Sequence, residues 1–294
     1  MTDRKLMVSN CLSCSFRRME RQIPEDAPEE TRLRFIQKIM EIIAGVDPTV
    51  SSPELSVVLQ DLYDETFGAR MDYASIRSFF NKKILALEPE IAEEIRRADD
   101  PLLRAVQYSM CGNYIDYSVP QKVTEEKLKE ILGSPGKAEV PPAVWQSILE
   151  ELGRTKELVY LLDNCGEIVL DKLVIAELKE IYPDMNITAF VRGGEALNDA
   201  LMADAEEVGL TEVADVIPNG DRSPGTALGR ISEEARRKLF AADLIWAKGQ
   251  GNYETLHGCG LNIYYFFLCK CPYFAGLFEV PQNSAMVIHE EGAA

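Results

Sequence analysis

LVYLLDNCGE, residues 158–167, is the stretch from which the fold of this chain is read. Its first half, 158–162, is continuously apolar and runs straight into Asp163-Asn164, then Cys165-Gly166-Glu167. A short apolar run bounded by a turn signal is the pattern of a strand buried on both faces, as in parallel sheets. A helix is expected next, over 168–181. Open α/β sheets bind their ligands beyond the carboxyl ends of the strands, which is where Asp163 and Asn164 stand. Two adjacent oxygen donors there suit a hard divalent cation. On this stretch alone, a second reading is that Asp163 only caps the helix.

Downstream the same texture continues. Strands are expected at 158–162, 186–191, 213–217, 244–247, 264–269 and 285–288, with helices over 168–181, 195–207 and 232–241. Alternating strands and helices with short links specify an α/β fold with a mostly parallel, doubly wound, Rossmann-like sheet. Upstream, residues 24–153 read as helix after helix: 29–43, 54–67, 73–98 with a kink or a division into two helices at Pro89, 102–110, 124–132 and 141–152. The expected organisation is therefore a helical bundle over 1–153 and an α/β domain over 154–294.

Charge and composition narrow the function. The formal net charge of -17 argues against a general nucleic-acid binder, which needs clustered Lys and Arg to neutralise phosphates. A small anion remains an acceptable partner if a few cations are gathered in one cleft. With only two histidines, the chemistry falls to carboxylates, amides and lysines. No run approaches the ~18–20 apolar residues of a membrane span, and MTDRKLMVSNC lacks a signal-peptide core. A cytoplasmic protein with no membrane partner is expected. The seven cysteines are an odd number, which does not suit a disulfide framework. Cys11 and Cys14 form a CxxC, which suits half a metal site, a redox pair or two structural thiols.

The polar residues collect at the strand tips. After the first strand come Asp163-Asn164, and after the second Arg192-Gly193-Gly194 with Asn198-Asp199 further on. The segment from Asp243 ends in Lys248-Gly249-Gln250-Gly251, and the next strand ends in Lys270 between Cys269 and Cys271. In the helical half, Gly112 interrupts an apolar helix and is followed by Asn113 and Asp116, three apart. Right-handed crossovers bring the strand tips to one edge of the sheet.

LLDNCGE, VRGGEALNDA, AKGQGNYE and LCKC, with the upstream CGNYID, together resemble the DUF89 family, the damage-control phosphatases. The N-terminal CxxC resembles the stand-alone subgroup common in archaea. The resemblance implies a helical N-terminal part packed on a three-layer α/β/α part. It also implies metal-dependent hydrolysis of small phosphate monoesters, such as sugar phosphates or damaged phosphometabolites. Carried over residue by residue, the metal ligands fall on Asp163, Asn164 and Asp199. The phosphate-contacting residues fall on Asp243, Lys248, Gly249 and Lys270, with Asn113 and Asp116 as one wall. Asp163 and Lys270 would be the catalytic pair. An oxygen donor set without histidine favours Mg²⁺ or Mn²⁺ over Zn²⁺, with Co²⁺ and Ni²⁺ as further candidates. The nucleophile is either Asp163 itself or an activated water.

Two other readings compete. One is a SAM-dependent methyltransferase, but the 162–166 loop has one glycine where such loops carry two or three, and Lys248 and Lys270 would be idle. The other is a binding or redox module centred on Cys11 and Cys14.

Overall fold

The computed structural model describes residues 7–68, 72–115 and 124–292. The N-terminal part opens with α1 (Ser9–Gln22), a helix that carries the CxxC and that the sequence pattern did not announce. It is followed by α2 (Glu29–Ala44) and α3 (Ser52–Phe67). A capping box starts α3: Ser51 accepts from the Glu54 backbone N–H while the Glu54 carboxylate accepts from the Ser51 N–H at 2.8 Å. These helices enclose a small core of their own, with Met19, Phe35, Ile39, Leu55, Leu59 and Tyr63.

Of the kink or pair of helices expected around Pro89, the structure has the pair. α4 (Tyr73–Leu85) stops, and α5 (Glu88–Arg96) begins with the proline in its first turn, where its missing N–H costs nothing. Then come α6 (Pro101–Gly112), α7 (Glu125–Leu132) and α8 (Pro142–Leu152). Phe80, Leu102, Val106, Ile148 and Leu152 from these helices share one core with a face of the sheet.

That sheet is built from β1 (Glu157–Leu161), α9 (Glu167–Ile181), β2 (Asn186–Val191), α10 (Met202–Glu207), β3 (Asp215–Pro218), α11 (Glu233–Ala241), β4 (Leu244–Lys248), α12 (Gln250–Leu256), β5 (Ile263–Leu268), α13 (Pro272–Leu277) and β6 (Ala285–Glu290). Its order is β3-β2-β1-β4-β5-β6, parallel throughout except for β6, which pairs antiparallel with β5. Side chains alternate across it as the strand period of two requires. Leu158, Tyr160 and Leu162 face α9 and the helices α4–α8, while Val159 and Leu161 face α11, α12 and α13. The result is a three-layer α/β/α arrangement. Strand order reverses between β1 and β4, and at such a reversal the flanking helices diverge and leave a crevice.

One expected element is corrected. The helix anticipated over 195–207 begins only at Met202. Residues 195–201 instead cross the strand tips, with Leu197 at φ 55° and Asp199 in a bridge to Asn164. The Cys165 N–H donates to Asn198 O and the Ala200 N–H to Asp163 O, both at 2.8 Å. Backbone groups that a helix would have satisfied locally are satisfied by the tip of β1.

No helix among the described residues is long and apolar enough to cross a membrane.

Gly112 explains how α6 reaches the tip of β1. A Cβ there would lie 2.9 Å from Leu170 Cδ1 and 3.2 Å from Glu167 Cγ, so its absence lets α6 lie directly on α9. Gly112→Val is expected to lower stability by about 1–3 kcal/mol through overpacking. Urea unfolding measures this, and an unchanged midpoint would show that the contact tolerates a side chain.

Candidate active site

The crevice at the β1/β4 reversal is filled with ionisable groups. Asp163 sits just past the end of β1, and Gly249 just past the end of β4. Gly249 has φ 80°, and a Cβ on it would fall 2.1 Å from Asp163 Cγ. Its N–H is already used by Phe266 O at 3.0 Å. Its contribution is therefore the space it leaves, and it has no free donor to offer a phosphate.

Asp163 Oδ2 accepts from Asn113 Nδ2 at 2.9 Å and from Asn164 Nδ2 at 2.6 Å. Asn113 arrives from the end of α6, so the helical part does contribute to the tip of β1. Asp163 Oδ1 has only the Arg192 guanidinium nearby, at 3.8 Å. Asp199 Oδ2 accepts from Arg192 Nε at 2.7 Å. Among the described residues, neither Asp163 Oδ1 nor Asp199 Oδ1 accepts a hydrogen bond. Asn164 completes the group: its Oδ1 accepts from Asn198 Nδ2 at 2.7 Å and keeps a second lone pair. Asp116 lies outside the described residues.

Beneath this layer is a fully buried charge network. Lys248 donates to Glu167 Oε1 at 2.6 Å, to Asp171 Oδ1 at 2.9 Å and to the Ser109 hydroxyl. Tyr160 and Ser109 also donate to Asp171 Oδ1, at 2.7 and 2.6 Å. The other Glu167 oxygen accepts from Asn113 at 2.9 Å and Asn164 at 2.8 Å. The two carboxylates hold the Lys248 ammonium charged despite its burial. Lys248 is thus committed inside the protein, with no donor left for a ligand.

Asp243 is also elsewhere. It precedes β4, and its carboxylate accepts from the Lys156 and Glu157 N–H groups at 2.9 Å each, at the start of β1. That is the amino edge of the sheet, opposite the crevice, so the phosphate-contacting role expected for it does not fit its position.

Lys270 does face the site. It is exposed, and it lines a cavity of about 360 Å³ together with Asp163, Asn113, Gln250, Glu254 and Cys14. Its charge reaches both Asp163 and Asp199. Its loop is pinned by Gln250, whose Oε1 accepts from the Lys270 N–H at 2.9 Å and the Cys271 N–H at 3.1 Å. Cys11 and Cys14 are free thiols on α1, Cys14 on the cavity wall.

Sequence reasoning passed over Glu167, Asp171 and Arg192. A signal for the first two was present: in EIVLDKLVIAELKEI they are i, i+4 acids on an otherwise apolar helix face. A lysine ending the apolar run LIWAK needs such partners.

Burial, reinforced by the neighbouring Asp199 and Glu167 carboxylates, raises Asp163 from 3.8 to about 7. Burial also raises Asp199, against the pull of Arg192. Asp163 and Asp199 each leave an oxygen free, and Asn164 a lone pair, which together make an all-oxygen donor set. No three His, Cys, Asp or Glu among the described residues form a metal-binding group by themselves. The donors fit a hard divalent cation.

The class of the protein is that of an α/β fold with an open, doubly wound sheet, carrying acids and an exposed lysine at its strand reversal. The family model for the damage-control phosphatase ARMT1-like domain matches residues 7–286. A damage-control phosphatase of Archaeoglobus fulgidus is 34% identical over 215 residues, 70% of this chain and 72% of that protein. Another, of Pyrococcus horikoshii, is 32% identical over 193 residues, 64% of each chain. An uncharacterized protein of Methanocaldococcus jannaschii is 30% identical over 274 residues, 89% of this chain and 88% of that one. The crystal structure of a DUF89 family protein from Pyrococcus horikoshii shares the fold, with a TM-score of 0.81 over 97% of this chain and 99% of that one at 24% identity. The chain belongs to the damage-control phosphatase ARMT1-like family, also called DUF89.

Two outcomes test this geometry. Lys248→Met strands two buried carboxylates and is expected to cost about 3–5 kcal/mol of stability in urea unfolding. A lysine that only touched ligand would leave the midpoint unchanged. The second concerns Asp163 in protein freed of metal by chelation. With a folded pKa near 7 against an ordinary 3.8, the folded state holds this proton more tightly. The resulting stabilisation is complete below about pH 4 and is lost as pH rises through about 7. The melting temperature of the wild type relative to Asp163→Asn should therefore fall between pH 5 and 8, and a rise would contradict the assignment.

Proposed function

We propose that this protein is a metal-dependent phosphatase for small phosphate monoesters, with the cation held by Asp163, Asn164 and Asp199 and the phosphoryl group by Lys270. The observation that carries the proposal is the pair of uncommitted carboxylate oxygens, on Asp163 and Asp199, at an edge where the exposed Lys270 lines a cavity with Asp163. The names of the relatives from Archaeoglobus fulgidus and Pyrococcus horikoshii support the phosphatase part of it.

Charge balance supports the metal. Asp163, Glu167, Asp171 and Asp199 have only Lys248 and Arg192 as buried cationic partners. Two carboxylates in excess are what a divalent cation would offset. When bound, Mg²⁺ or Mn²⁺ supplies positive charge at the phosphoryl oxygens.

Phosphoryl transfer depends on position and fixed charge more than on covalent help from the protein. Lys270 supplies a flexible cation at the cavity for the non-bridging oxygens. Asn113 and Asn164 pin Asp163 through Oδ2, so Oδ1 keeps one orientation. With one carboxylate oxygen toward the cation, Asp163 would attack, or take a proton from an attacking water, through its other oxygen. Lys248 keeps Glu167 fixed, and Glu167 in turn fixes both asparagines. Lys248 acts through position alone.

The test is turnover of p-nitrophenyl phosphate and a sugar-phosphate panel after chelation, then with Mg²⁺, Mn²⁺, Co²⁺ or Ni²⁺ restored. Phosphate release should require metal, and Asp163→Ala, Asp199→Ala and Lys270→Met should each lower kcat/KM by roughly 10²–10³-fold or more. Equal activity in chelated protein, or full activity in both aspartate variants, would refute the site.

A further inference from the structure

The cavity that holds Asp163 and Lys270 has a second wall, made by α1 and α3. Spacings of three and four residues place Cys14, Ser15 and Arg18 toward one side of α1, and all three line the cavity. The first turn of α3 adds Ser52 and Ser56. Arg18 differs from the other arginines of this region. Arg77 is paired with Asp204 at 3.2 Å, Arg192 with Asp199 at 2.7 Å, and Arg230 with Asp221 at 3.0 Å. Arg222 is paired with Asp61. Arg18 Nε is buried without a hydrogen-bond partner, and among the described residues no carboxylate lies within ion-pairing distance of its guanidinium.

Arg18 is half-buried, and its desolvated Nε–H lacks an acceptor that an arriving anion would supply. Arginine also binds carboxylate and phosphate in a two-pronged geometry. Arg18 stands on α1, in the helical wall of the cavity, whereas Asp163 and Lys270 stand past the ends of β1 and β5. At about 360 Å³, the cavity is within the ~300–1,000 Å³ range that encloses a whole small molecule.

We propose that Arg18 is a specificity-determining receptor for a second anionic group, phosphate or carboxylate, at the end of the substrate remote from the scissile phosphoryl. The preferred esters are then small polyhydroxylated compounds with an anion at both ends, and the serines of the helical wall meet the hydroxyls between them. This substrate class rests on the phosphatase reading, whereas the anion site itself does not.

The experiment is titration calorimetry, with and without Mg²⁺, using phosphonate analogues that cannot be hydrolysed. The ligands are analogues of a hexose 6-phosphate, a hexose 1,6-bisphosphate and a 6-phosphoaldonate, and turnover of the three parent esters is measured in parallel. Wild type should bind one or both doubly anionic ligands at least about tenfold more tightly than the singly anionic one, the scale of one charge-assisted contact. The bisphosphate and phosphoaldonate arms show whether the second group is phosphate or carboxylate. In Arg18→Gln that preference should vanish, with the change in turnover carried by KM, and Arg18→Lys should restore part of it. The melting temperature of Arg18→Gln should stay level or rise, because the change breaks no ion pair and strands no partner among the described residues. Equal binding of all three ligands by wild type, or a preference that survives Arg18→Gln, overturns the proposal. So does unfolding of that variant, which would make Arg18 structural. Tight, Arg18-dependent binding without turnover of any ester would leave the anion site standing and refute the phosphatase reading instead.

Discussion

The structure depends on one buried interaction, the Lys248 ammonium held between Glu167 and Asp171. It joins the end of β4 to the first turns of α9, and through Ser109 it reaches α6. An ion pair at this depth is no guarantee of stability, because the desolvation of both partners offsets much of the attraction. Its effect is on position. Glu167 spends one oxygen on Lys248 and the other on Asn113 and Asn164, and both asparagines then hold Asp163. The chain of contacts runs from the end of β4 through α9 to the tip of β1, leaving Asp171 Oδ2 as its one buried oxygen without a partner among the described residues. A hydrogen-bonded network of this kind in a low-dielectric interior is rigid only while every member is satisfied.

The same network explains why Asp163 is so far from an ordinary carboxylate. Asp199 and Glu167 crowd it while Arg192 divides its charge between Asp163 and Asp199. The fold tolerates acids in excess here because the crevice at the strand reversal gives them an open side. Gly249 permits this crowding, since any side chain there would occupy the space of the Asp163 carboxylate. The site is thus strained in charge and tight in space at one atom group, and both features arise from where β1 and β4 end.

Much of this was legible in the sequence, and the remainder fails for identifiable reasons. The apolar run before Asp163 and the repeated alternation after it were enough to give a parallel, doubly wound sheet. Lys248 and Lys270 looked equivalent because both end apolar strands. Strand ends separate them: Lys248 is the last residue of β4 and points with Trp246 to the α6/α9 face, where the acids are, while Lys270 lies two residues past the end of β5 and turns to the cavity. Asp243 was grouped with the tips although it precedes its strand. The helix expected over 195–201 was a matter of spacing alone, and pairing with residues 163–165 overrode it. α1 was missed because only Ser15 and Met19 are buried along it, so its apolar stripe is thin.

That thin stripe has a consequence for function. α1, α2 and α3 pack around their own small core, while α4–α8 share theirs with the sheet. The residues proposed for the chemistry are therefore locked into a network that any substitution disturbs, whereas Arg18 and the serines of the helical wall stand on separately packed helices. Under the roles proposed here, a change on the cavity side of α1 would alter what the cavity accepts while leaving Lys248, Glu167 and Asp163 in place, because reaction and recognition would rest on different packing units.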